Sequence, residues 1–294
     1  MLRKLLIAFA CAWAHACAEP APTPEPGALV VRDDAGRDVR LAQSAQRVVS
    51  LLPTVTDLML AMNVDDRLIA RTEFDTDARL ATLPSLGGGL TPSVEWLAQQ
   101  KPDLVIAWPD QGTRSLVDRL ASVDIPVYAA RTESIDDTYR ILADLGTMLG
   151  ITPKTDSLGS SMKSALDSVR AAVSARPAVR VAYVVGLDPP MVAAAGTFID
   201  ELIGVAGGRN IFPELKLWPQ VNLEELVQRD PDVVVIADTG SDDPVTALRK
   251  LAGWRELRAV RSGRVYRVSP YFFNRSGPTM PSAARELARF FHGS

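Results

Sequence analysis

From Pro153 to Ala175 the chain has no turn-forming interruption except Gly159, and its apolar residues Leu158, Met162, Ala165, Leu166, Val169 and Val173 recur every three or four positions. That spacing predicts one amphipathic helix. At 1.5 Å per residue the segment reaches about 35 Å, the width of a small domain. The same pattern lies on both sides of it. Before the helix, Leu29 to Val31 and Val39 to Leu41 flank Asp33-Asp34-Ala35-Gly36, a hairpin signal. Val48 to Leu52, Leu104 to Ala107 and Val127 to Ala130 then read as strands, alternating with helices over Thr54 to Met62, Ser115 to Val123 and Ile135 to Leu149. Beyond Pro177 come strands at Val179 to Val185, Val233 to Ala237 and Val265 to Val268. Between and after them are helices at Thr197 to Ala206, Leu223 to Arg229, Pro244 to Leu251 and Pro281 to Phe291. Alternation of this kind builds βα units and a mainly parallel sheet.

The two halves also resemble each other. Shifted along the chain, Ser93 to Asp103 overlays Asn222 to Asp232, with Glu95, Leu97, Gln99, Pro102 and Asp103 matched by Glu224, Leu226, Gln228, Pro231 and Asp232. A buried strand follows in both. A helix-turn-strand unit could produce some of this by itself, but the identities favour a true repeat. The expected fold is therefore α/β, with two similar Rossmann-like lobes over 29–150 and 177–294. A single long helix over 151–176 joins them, and a ligand cleft lies between. One stiff connection predicts small opening motions.

At the N-terminus, Arg3 and Lys4 precede an apolar run from Leu5 to Ala16, too short to cross a bilayer and long enough for a signal-peptide core. Two cuts fit: after Ala16-Cys17-Ala18, or before Cys17, which would then be a lipid anchor. A leader over 1–17 and a Pro-rich tether over 18–28 imply an exported protein, periplasmic or anchored to the membrane. Net charge is −3, from 32 Lys and Arg against 35 Asp and Glu, and becomes more negative when Arg3 and Lys4 are removed. That balance excludes phosphate-driven nucleic-acid binding. Cys11, Cys17 and His15 all fall in the leader, and the remaining His, His292, sits near the C-terminus. The body of the chain thus lacks the parts for Cys/His metal sites, His-paired nucleophiles and histidine proton shuttles. No enzyme, metal or resident cofactor is expected.

Several segments then carry a resemblance. Lys101-Pro102-Asp103-Leu104-Val105-Ile106-Ala107-Trp108, Asp188-Pro189-Pro190, Gly207-Gly208-Arg209-Asn210-Ile211-Phe212, Trp218-Pro219-Gln220-Val221 and Phe272-Phe273-Asn274-Arg275 are similar to the binding proteins of importers for haem, ferric siderophores and cobalamin. The resemblance covers roughly residues 46 to 291 and is closest to the cobalamin-binding branch. It implies a monomer that captures cobalamin or a related corrinoid between its lobes and delivers it to the permease dimer of an ABC transporter. Haem or a ferric siderophore is the alternative ligand. The chain departs from that branch where a second-lobe disulfide is expected, near Ala206 and Ala288, and where Asn274 replaces an acid of the last loop.

Candidate site residues follow from position. Trp108 ends a strand, and ligands of open α/β sheets lie beyond the carboxyl ends of strands. Trp218 sits in a loop. Of the adjacent Phe272 and Phe273, one is expected to face the cleft, beside Asn274 and Arg275. Thr54, after Pro53, is expected to cap a helix whose free N–H groups either meet the ligand or are satisfied by the cap alone. Phe74, Gly88, Gly89, Pro189 and Pro190 are ligand residues by resemblance, with Gly87 to Gly89 read as close backbone approach and not a phosphate cradle. Glu95 and Glu224 stand near equivalent helix starts, where they favour the helix N-terminus. By resemblance they dock onto basic residues of the permease.

Overall fold

In the computed structural model the described residues are 28–89, 92–109 and 111–293, without the side chains of 111–113. The expected leader, Cys17 and most of the tether lie outside them. The first described element is a hairpin of β1 (Leu29–Arg32) and β2 (Asp38–Leu41). Its turn is closed by buried Asp33, whose carboxylate accepts from the amides of Ala35 at 3.0 Å and Arg37 at 2.8 Å.

The first lobe then runs β3 (Val48–Ser50), α1 (Pro53–Ala61), β4 (Leu68–Ala70), α2 (Val94–Gln100), β5 (Leu104–Ala107), α3 (Gln111–Ala121), β6 (Val127–Ala129) and α4 (Ile135–Leu149). Its strands pair in parallel in the order β4-β3-β5-β6. Ser134 and Asp137 cap α4 reciprocally, and Gly150 ends it in the left-handed region. The linking helix α5 (Thr152–Val173) buries Met162, Leu166, Val169 and Val173 of the stripe its periodicity predicts, together with Thr155, and leaves Leu158 and Ala165 half-buried.

The second lobe comprises β7 (Val179–Leu187), β8 (Pro190–Val192), α6 (Phe198–Val205), β9 (Gly208–Asn210), α7 (Leu223–Arg229), β10 (Val233–Ala237), α8 (Pro244–Arg249), α9 (Arg258–Arg261), β11 (Val265–Val268), α10 (Pro270–Phe273) and α11 (Met280–His292). Its sheet is ordered β11-β10-β7-β8, with β9 also on β7, and only the β7–β8 pair is antiparallel. Every residue of β5 and β10 is buried, as strands covered on both faces require.

The repeat is a physical unit. Both α2 and α7 end on a non-glycine residue in the left-handed region, Lys101 at φ 47° and Asp230 at φ 39°, followed by Pro and Asp. The carboxylate of Asp103 accepts from the amides of Gln46 and Arg47, both at 2.8 Å, and that of Asp232 accepts from the Arg180 amide at 3.0 Å. Arg47 and Arg180 in turn donate to the carbonyls of Gln100 and Arg229. Each matched Asp thus ties the helix turn of its lobe to the start of the neighbouring strand.

One apolar core runs from the first lobe under α5 into the second, through Tyr128, Ile141, Met162, Leu166, Phe198 and Met280. Separate outer cores lie around Leu97 and Leu120 in the first lobe and around Phe212 and Trp254 in the second. The apolar cores of the lobes are therefore fused on the side of the linking helix and separate on the other. That open side holds the site.

A cleft between the lobes

The carboxyl ends of β3, β5 and β6 and the loop after β4 reach the same edge of the first sheet. Opposite them stand β7, β8, the Trp218 loop and the segment after β11. Between these walls is a cavity of about 670 Å³, lined mainly by apolar groups including Leu51, Leu52, Trp108, Val185, Met191 and Phe198. It falls within the range of small-molecule sites, roughly 300–1,000 Å³.

Nine of the expected ligand residues line it: Pro53, Thr54, Phe74, Gly88, Gly89, Trp108, Trp218, Asn274 and Arg275. Trp108 and Trp218 come from opposite lobes, each partly buried and packed on the edge of the shared core. Thr54 is not the cap of α1. Leu52 holds that position without a side-chain bond, because Pro53 suits the first helical turn, and Thr54 is buried inside it. The approach of Gly89 is to the protein itself. Its φ is +80°, and a Cβ there would stand 2.9 Å from the Leu51 carbonyl oxygen.

Four expected residues are not brought to the cavity. Pro189 is in the β7–β8 turn and Pro190 opens β8, where its carbonyl accepts from the Val221 amide at 2.8 Å. That bond holds them against Val221, Leu223 and Trp254 at a separate depression. Phe272 and Phe273 are turned away because their segment is the helical turn α10 and not an open loop. Residues three apart share a helix face, so Tyr271 and Asn274 front the cavity. Phe273 is 2% exposed in the core, and Phe272 packs against that core and lines a separate surface depression with Val169, Val173 and Ala288.

The polar groups of the wall are largely engaged with each other. Arg275 crosses from the second lobe to Asp57 on α1, Nη1 to Oδ2 at 2.9 Å, and also donates to the Phe74 carbonyl. Burial raises the Asp57 carboxyl above its usual range, and the Arg275 charge and hydrogen bond pull it back. Tyr183, fully buried and held neutral by desolvation, donates to Asn274 Oδ1 at 2.7 Å. Ser276 Oγ donates to the Thr132 carbonyl at 2.9 Å, and Thr138 Oγ1 donates to the Ser276 carbonyl at 2.8 Å.

Thr132 and Glu133 follow β6 and line the cavity, yet neither motif nor composition marks them. The strand-end rule that selects Trp108 applies equally to them. Burial raises the Glu133 carboxyl, opposed first by a hydrogen bond from the Trp218 side chain.

Glu95 and Glu224 are exposed on α2 and α7, away from the cavity lining. Hydrogen bonds from its own amide and from Ser93 hold the Glu95 carboxyl below its ordinary value, and Arg119 lies 3.2 Å away. Where the second-lobe disulfide is expected, Ala206 is joined to the end of α11 by a contact between its carbonyl and His292 Nε2 at 3.2 Å. Among the described residues no acidic, His or Cys cluster could hold a metal, and no helix is long and apolar enough to cross a membrane.

Known proteins match this arrangement. An uncharacterized ABC transporter substrate-binding lipoprotein of Bacillus subtilis (strain 168) is 27% identical over 88% of this chain and 84% of its own length. A vitamin B12-binding protein of Yersinia pestis (strain Pestoides F) is 28% identical over 84% of this chain and 87% of its own. A periplasmic heme binding protein from Pseudomonas aeruginosa superposes with a TM-score of 0.75 at 25% identity, covering 85% of this chain and 94% of that one. The model of the periplasmic binding protein family matches residues 48–271. With that match and this two-lobed fold around an interlobe cleft, the chain belongs to the periplasmic binding protein family.

Proposed function

We propose that the chain is the substrate-binding protein of an ABC importer that captures cobalamin or a related corrinoid in the interlobe cleft and hands it to the membrane permease. The observation that carries this reading is the pair Trp108 and Trp218, set by opposite lobes on one largely apolar cavity. Two indole rings present large rigid apolar faces at small entropic cost, which suits a broad macrocycle held between lobes. The Yersinia pestis relative, named for vitamin B12, supports the same ligand class. The protein binds and releases without chemistry, is exported to the periplasmic side, either free there or anchored through Cys17, and works as a monomer. Glu95 and Glu224 present one acid on each lobe to a two-fold-symmetric permease.

Haem is the second reading. Tyr271 and Met191 both line the cavity, and both residue types ligate haem iron. Purified protein mixed separately with cyanocobalamin and with haemin, passed down a desalting column and scanned in the visible range, separates the two. Retained corrin absorbance supports the first reading. Retained haemin with loss of all corrin overturns it.

A further inference from the structure

Five polar groups of the cavity wall bear on what a ligand meets there. Arg275 is committed to Asp57, to the Phe74 carbonyl and, at 5.9 Å from its ring centroid, to Tyr271. The Thr132 carbonyl accepts from Ser276, and the Asn274 carbonyl oxygen accepts from Tyr183. The Asn274 NH2 remains a donor. Glu133 differs from all of these. Its backbone amide donates to Asp137 Oδ2 at 3.1 Å, so its position is fixed by the same carboxylate that closes the capping box of α4. It lines the cavity beside Trp218, whose side chain and the more distant charge of Arg131 both favour its ionised form, and no salt bridge pairs it among the described residues. A carboxylate has roughly four acceptor positions, more than the single N–H of a neighbouring indole could fill. In a half-dry cavity the others call for donors from whatever is bound.

We propose that Glu133 sets the charge class of the ligand, accepting N–H groups from the amide-bearing rim of a neutral macrocycle and repelling ligands whose rim carries carboxylates. This deepens the corrinoid reading and rests on the cleft being the ligand site. The chemistry follows from the pairing above. Because Asp57 pairs with Arg275, the one cation among the described residues lining the cavity, and Arg131 lies outside that lining, a ligand carboxylate placed beside Glu133 meets like charge. An amide NH2 in the same place meets a charge-assisted acceptor. No motif marks Glu133 in the sequence, and its one signal is its place just beyond the strand β6.

The test compares the parent, Glu133→Gln and Glu133→Asp by calorimetric titration with three probes: cyanocobalamin, a cyanocobalamin monocarboxylate made by hydrolysing one side-chain amide, and haemin. Melting temperature is recorded for each variant. The parent should favour the amide form over the monocarboxylate by about tenfold or more, as expected for a close like-charge contact. Glu133→Gln should shrink that preference severalfold at unchanged melting temperature, and Glu133→Asp should keep most of it. An unchanged preference in Glu133→Gln overturns the assignment. Should the parent take haemin and refuse both corrinoids, the corrinoid reading fails and Glu133 is judged on haemin. Tighter haemin binding by Glu133→Gln then supports its role, and equal binding overturns it. Refusal of all three probes by the parent overturns both.

Discussion

Replacing Arg275 by Met should produce a stability deficit that depends on pH. The guanidinium reaches from the second lobe to Asp57 on the first, and the paired side chains are 13% and 22% exposed. Burial is the largest influence on Asp57, raising its carboxyl. Arg275 opposes this by charge and hydrogen bond, while Asp75 and Asp77 add to it. The folded pKa lies above the unfolded one, so the contribution of protonated Asp57 is fully present below the unfolded value and is lost as pH rises through the folded value. Without Arg275 the folded value climbs further and the loss grows. Fully buried pairs cost about 3–5 kcal/mol when one partner is removed and exposed pairs about 0–1, so a partly exposed pair should cost about 2 kcal/mol at neutral pH. Part of the deficit, from the lost Phe74 bond and packing, is independent of pH. The rest should vanish near pH 4, close to the ordinary range of a carboxyl. Asp57→Asn removes the carboxylate whose burial is costly and should lose about 1 kcal/mol or less, and in that background Arg275→Met should show no pH dependence. Calorimetric unfolding of all four proteins across this pH range measures each quantity. A deficit of constant size at every pH, or one as strongly pH-dependent in the Asp57→Asn background, refutes the reasoning.

Trp218→Ala should weaken corrinoid binding by more than tenfold while shifting the melting temperature little. A fully covered Trp removes roughly 150–250 Å² from water, an upper bound of about 4–6 kcal/mol, and even a third of that exceeds tenfold. Unchanged affinity by titration removes the ring from the site. Gly89→Ala forces a side chain into a positive φ and against the Leu51 carbonyl oxygen at 2.9 Å. It should cost roughly 1–3 kcal/mol in urea unfolding, and an unshifted midpoint contradicts the packing described. Glu95→Arg combined with Glu224→Arg should leave ligand affinity intact and abolish uptake by the reconstituted importer, with each single reversal intermediate. Normal transport by the double variant rules out docking through these acids, and a small loss of stability alone indicates only their favourable position at helix N-termini.

The fold was readable where a pattern extends over enough residues to show its period. Ile135–Leu149, Leu223–Arg229, Val233–Ala237 and Val265–Val268 have the boundaries that periodicity predicts. β8 and β9 are three residues each and begin on Pro190 and Gly208, residues that sequence reads as turn formers, so only their pairing with β7 defines them. In the cleft, Trp108 was readable because a strand end is a sequence feature. The turn of Phe272 and Phe273 away from the cavity was not, because four residues starting at Pro270 form a helical turn only when β11 and α11 fix their ends. Arg275 posed a different difficulty. Its partner Asp57 lies 218 positions away, and no local pattern reports a contact of that span.

That long contact belongs to a set with a mechanical consequence. Arg275 bonds Asp57, Ser276 bonds Thr132, and Thr138 bonds Ser276 in return. Glu201 of α6 accepts from the Ile135 amide at the start of α4, at 2.6 Å. All four bonds cross between lobes, and the first three run through the segment that also supplies Asn274, Arg275 and Ser276 to the cavity wall. The shared core beneath α5 holds the lobes along the opposite edge. A wide opening would have to break charge-assisted and buried hydrogen bonds together while shearing a close-packed core, and small displacements avoid both costs. A ligand that touches residues 274–276 touches the groups that join the lobes, so its binding energy acts directly on the lobe-to-lobe contact. Any displacement of one lobe against the other therefore acts on these few interlobe bonds beside the cavity as well as on the shared core.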